Sequence, residues 1–83
     1  METENKKLAI VYIMLILLRY GNRGEYLTQE KIARILEEER GIKLERKAVG
    51  RNIALLRGIF DELGYETESC KSGTRVRKRR DTV

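Results

Sequence analysis

The sequence predicts a mostly helical domain that ends in a small β-hairpin: three helices, then two short strands. Three observations carry this. Apolar residues fall in three helix-length blocks, Leu8–Leu18, Ile32–Leu36 and Val49–Leu63. Glycines 21, 41 and 64 stand where those blocks end. Beyond Gly64 the pattern changes to two short strand-like runs around Lys71-Ser72-Gly73. At 83 residues the chain has room for one core. Residues 1–78 read as that domain and 79–83 as a basic C-terminal tail.

The first helix is expected from Glu4 to Tyr20, with Gly21 as its stop. Leu8 to Leu18 is an unbroken apolar run. A surface helix ordinarily shows one apolar stripe, whereas this one is apolar all round. Its length of roughly 16 Å falls short of a hydrocarbon core of about 30 Å, so it does not span a bilayer. Lys6-Lys7 ahead of the run would suit an export signal, but Arg19-Tyr20-Gly21 follows instead of a small-residue cleavage site. The reading is a folded helix of a cytoplasmic protein without a membrane partner.

Residues 21–25 carry loop chemistry, and Tyr26-Leu27 is a short extended segment. Thr28 is a good N-cap for the second helix, with Glu30 in the first turn where the helix dipole favours an anion. Ile32, Ile35 and Leu36 share one face, and Gly41 follows Arg40 as the stop. The third helix is expected from Glu45 to Leu63. Its apolar positions Val49, Ile53, Leu56, Phe60 and Leu63 step by four and three, which makes one buried stripe against the first helix and Ile32/Leu36. Tyr65–Cys70 and Thr74–Lys78 read as the paired strands. Three helices and a terminal hairpin in this order make a winged helix-turn-helix.

Composition excludes several kinds of chemistry. The chain has no His and one Cys, so it lacks an ordinary zinc set and any Ser-His or Cys-His pair. No cofactor and no enzymatic activity are expected. The net charge is +5, with 18 Lys/Arg against 13 Asp/Glu. Most of the excess lies in the C-terminal half, ending in Arg75-Val76-Arg77-Lys78-Arg79-Arg80. Such a balance suits a polyanion partner.

Placement sharpens that. Opposite the buried stripe, the third helix presents Lys47, Arg51, Ala54 and Gly58, with Gly50 and Arg57 on a flank. Cations suit phosphates and guanine edges, and small residues let the helix backbone approach a surface. Each interior glycine costs the helix about 0.8–1 kcal/mol relative to alanine, so Gly50 and Gly58 need a groove or a tight neighbour to explain them. On an extended strand Arg75, Arg77 and Arg79 share one face; Lys71, Lys78 and Arg80 are further cations of the wing and tail.

Three stretches carry a resemblance. They are Leu27-Thr28-Gln29-Glu30-Lys31-Ile32-Ala33, then Gly41-Ile42-Lys43-Leu44-Glu45-Arg46-Lys47-Ala48-Val49-Gly50-Arg51-Asn52-Ile53, then Leu56-Arg57. This resembles the N-terminal helix-turn-helix domain of bacterial WYL-domain transcriptional regulators, over roughly residues 6–70. In that family the corresponding Arg-Lys-Thr-Val helix reads DNA, which implies Arg46, Lys47 and Arg51 here. Departures are Glu45 for the usual Asp cap, Ala48 for a hydroxyl, and an insertion at Gly58-Ile59-Phe60-Asp61. The family's effector-sensing domain has no counterpart in these residues, so ligand regulation is not carried over.

The expected function is sequence-specific binding of double-stranded DNA by a transcriptional regulator. Helix 45–63 would enter the major groove, and the 65–80 wing and tail would lie on the backbone or minor groove. Arg46, Lys47, Gly50, Arg51, Ala54, Arg57, Lys71, Arg75, Arg77, Lys78, Arg79 and Arg80 are the expected contacts. Alternatives are a protein-interaction module docking on a nucleic-acid machine, and an RNA-binding protein. The all-round apolar first helix further predicts a homodimer; Ile10, Ile13, Met14 and Leu17 on one side are taken as its dimerisation side, with Val11, Tyr12, Leu15 and Leu18 on the other, and the sequence leaves open which of the two is core.

Overall fold

The structure, a computed structural model, describes residues 2–79. Its elements are α1 (Glu2–Gly21), α2 (Gln29–Arg40), α3 (Arg46–Glu62), β1 (Tyr65–Cys70) and β2 (Gly73–Lys78). The arrangement is the expected one, three helices closed by an antiparallel hairpin as in a winged helix. Among the described residues no helix is long and apolar enough to cross a membrane.

Local chemistry sets the boundaries. Thr28 caps α2, its hydroxyl accepting from the Lys31 amide at 3.1 Å. Gly41 ends α2 in the left-handed conformation, and its amide returns to the Glu37 carbonyl. Glu45 caps α3 without a side-chain hydrogen bond, as a poorer capping residue should. Gly21 behaves differently from a left-handed stop. It is the last residue of α1 with φ outside the left-handed range, and the positive φ falls at Gly24.

One core joins all five elements. α1 contributes Ala9, Ile13, Ile16 and Leu17, and α2 contributes Ile32, Ile35 and Leu36. Val49, Ile53, Leu56 and Phe60 fill it from α3, with Leu27, Ile42 and Val76 closing the ends. Two corrections follow. Leu63 does not continue the α3 stripe; it is 59% exposed, because the chain turns through Gly64 into β1 past the last covered turn. Ile13 and Leu17 are not a dimerisation side, since both face the core and are at most 1% exposed. Ile10 and Met14 pack half-buried at its edge. The open side of α1 is instead Leu8, Val11 and Leu15.

The hairpin is tied to the helices at both ends. The Tyr26-Leu27 segment bridges to β2, with Leu27 and Thr74 exchanging two backbone hydrogen bonds of 2.8 Å. Gly73 adopts φ +124°, and a Cβ there would lie 2.3 Å from the Leu27 backbone. Tyr65 meets Phe60 edge-on at 6.1 Å. The Arg79 amide bonds the Gly64 carbonyl at 2.7 Å.

Candidate nucleic-acid interface

The outward face of α3 is as the helical spacing placed it. Lys47, Arg51, Ala54 and Gly58 are all exposed. Among the described residues, neither Lys47 nor Arg51 has a carboxylate within ion-pair distance. A Cβ on Gly58 would meet nothing within 4 Å, so no neighbour within the chain accounts for this glycine.

The flank of α3 is engaged with the rest of the fold. Arg46 pairs with Glu30 of α2 at 3.2 Å, both side chains being largely solvated. Arg57 donates to the Ser69 hydroxyl of β1 at 2.6 Å. Gly50 is half-buried, and a Cβ on it would lie 2.8 Å from Gln29 Nε2. That atom is the far end of an exposed, flexible side chain, so Gly50 borders α2 on the flank of α3 without being required by the crossing. Asn52 bonds the Ala48 carbonyl at 2.9 Å within its own helix. Beside Arg46 opens a polar cleft of about 340 Å³. The start of α2 (Thr28, Gln29) and the hairpin tip (Ser69, Lys71) form its walls.

The hairpin is electrically unlike the expected cationic wing. Its register sets Glu66 opposite Arg77 and Glu68 opposite Arg75. Arg75 binds Glu68 through Nε at 3.0 Å and through its terminal nitrogen, and stacks 4.5 Å from the Tyr26 ring. Arg77 reaches Glu68 at 3.2 Å and Glu66 at 3.5 Å. Arg79 binds Asp61 and lies 4.0 Å from Glu66. Three arginines thus face three carboxylates, and the ladder is neutral. The Arg75 guanidinium, donating to Glu68, holds that carboxyl below the usual carboxylate range; partial desolvation opposes this, and the charges of Arg75 and Arg77 reinforce it. Glu68 in turn raises Arg75 above its ordinary value.

Lys71 and Lys78 are the exposed wing cations without an acidic partner among the described residues. Arg80, another expected contact, lies outside the described residues. The structure therefore gathers Arg46, Lys47, Arg51 and Lys71 around α3 and the cleft. It diverts Arg75, Arg77 and Arg79 into the hairpin. Sequence reasoning did not single out Gln29 and Ser69 for this surface; neither side chain carries charge or periodicity that would have marked it. No protein family, characterised protein or solved structure matches this chain.

Proposed function

We propose that this chain is a sequence-specific DNA-binding protein, a transcriptional regulator acting in the cytoplasm. The observation that carries the reading is the outward face of α3. Two cations there, Lys47 and Arg51, without an acidic partner among the described residues, stand one helical turn apart beside Ala54 and Gly58. In a major groove Arg or Lys pairs with guanine O6 and N7, and the small residues let the helix sit deep. Arg46 can exchange its solvated Glu30 partner for a phosphate, because exposed ion pairs are weak. Lys71 at the hairpin tip reaches the backbone from the other wall of the cleft. The resemblance to the helix-turn-helix of WYL-domain regulators supports the same reading. It is a binding function rather than an enzymatic one, with no cofactor.

The neutral arginine ladder of the wing favours one rival, a winged-helix module docking on protein, since paired charges attract polyanions weakly. Selection of bound sequences from random duplex DNA, followed by a salt titration on the best site, separates the two. A shared motif, and affinity that falls steeply with salt, support the proposal. No affinity for any duplex at low salt would overturn it, and preference for single-stranded or duplex RNA would move the function to RNA.

A further inference from the structure

An apolar surface runs across the side of the molecule where α1 and α3 meet. Ile10, Val11 and Met14 of α1 and Leu56 and Ile59 of α3 line a shallow groove of about 200 Å³ there. Val11 is 42% exposed and Ile59 44%. Helical spacing extends the surface both ways. Leu8 and Leu15 lie one turn either side of Val11, and Leu55 and Leu63 one turn either side of Ile59. All four are 42–65% exposed.

We infer that a second copy of this chain covers this surface, in a two-fold dimer built on α1 and the C-terminal half of α3. The area fits. A standard interface takes about 800 Å² per partner, and a homodimer interface is about 65% apolar, so roughly 500 Å² of apolar surface is needed from each copy. Six half-exposed aliphatic side chains supply on the order of 400 Å², within the roughly 300–600 Å² of the largest, often functional, patch on a monomer. The half-buried Ile10, Met14 and Leu18 continue the surface and add the remainder.

The surroundings suit a self-complementary contact. Lys7 lies one turn before Val11 and Glu62 one turn after Ile59, both exposed. A two-fold contact sets rim against rim, and this rim carries both signs. The dimer also leaves the candidate DNA face free. The two faces meet at one edge, where Leu55 stands one turn from Arg51, about 6 Å along the axis, whereas Ile59 and Leu63 lie about 12 and 18 Å from Arg51 at 1.5 Å per residue.

The test is sedimentation equilibrium of the full chain without DNA, so its outcome is independent of the DNA-binding reading. The expected result is reversible association to twice the 9.7 kDa chain mass. Val11→Glu and Ile59→Glu should each return the mass to 9.7 kDa with the helical circular dichroism intact. Leu55→Lys is the third variant, because Leu55 is the most exposed of these residues at 65% and the least engaged in the fold. A native chain that stays monomeric at every concentration where it is soluble overturns the inference. So does a dimer that persists in all three variants.

Discussion

Gly21→Ala should destabilise the domain although it adds a better helix former at a helical position. A Cβ at Gly21 would stand 1.9 Å from the Val76 carbonyl oxygen and 3.0 Å from its carbon. Reaching contact distance requires α1 and β2 to part by roughly 1.5 Å. β2 has little freedom to move, since Val76 is core at 1% exposure and Thr74 is held to Leu27 by two hydrogen bonds. Overpacking of this kind costs about 1–3 kcal/mol, and the helix-propensity gain returns at most about 1 kcal/mol. A 1.9 Å approach to backbone puts the overpacking cost at the upper end of its range, so the net loss is about 2 kcal/mol, a midpoint lowered by roughly 8–16 °C in a domain of this size. Gly58→Ala is the matched control. Its Cβ meets nothing, so it should raise stability by about 0.8–1 kcal/mol. Urea unfolding followed by circular dichroism, at one protein concentration, reads both. If Gly21→Ala were as stable as the native chain, the close approach of β2 to α1 would be refuted. A rise in both variants would do the same.

Two further predictions concern DNA. Lys47→Ala or Arg51→Ala should weaken the selected site relative to random duplex, by about 1–3 kcal/mol where the contact is bidentate to a base; competition binding measures it. Lys71→Ala should flatten the salt dependence by about 0.9 for its lost phosphate contact, while Arg77→Ala should leave the slope nearly unchanged because Glu66 and Glu68 already neutralise that charge.

Helical periodicity made the fold readable. The 4-3-4-3 spacing of Val49, Ile53, Leu56 and Phe60 and the caps at Thr28 and Gly41 leave little freedom over residues 28–60. α1 was less legible for the same reason that makes it unusual. A helix apolar on every side gives no phase, so choosing Ile13 and Leu17 as its open side had no periodic signal behind it. The charge of the wing turns on a single residue of register, which the sequence leaves open. A three-residue turn at 71–73 would pair Cys70 with Thr74 and set Glu68 opposite Val76. The actual turn is Lys71-Ser72, which pairs Cys70 with Gly73 and brings Glu68 to Arg75 and Glu66 to Arg77. Turn length thus decides whether the arginines are free cations or half of a ladder. Gly50 and Gly58 look alike in sequence, and only the approach of Gln29 tells them apart.

The ladder makes acid the sharpest probe of the wing. Glu68 is held below its ordinary range in the folded chain, whereas in the unfolded chain it returns to about 4.3. A group whose folded value is depressed stabilises the fold above its unfolded value, and that contribution is lost as pH falls through the folded value. Stability should therefore drop as pH is lowered from neutral past the ordinary glutamate range. Glu68→Gln should lose less over the same interval, because it has no proton to take up at that site. Protonation also does something the substitution shares: it frees Arg75 and leaves Arg77 with Glu66 as its remaining partner. The wing gains one net positive charge, and its affinity for any duplex should rise with a steeper salt dependence. Glu68→Gln at neutral pH should reproduce that gain without acid. Urea midpoints for the two chains that fall in parallel between neutral and acid pH would remove the Glu68 pairing. An unchanged salt slope in Glu68→Gln would show that the hairpin does not meet the DNA backbone, leaving recognition to α3 alone.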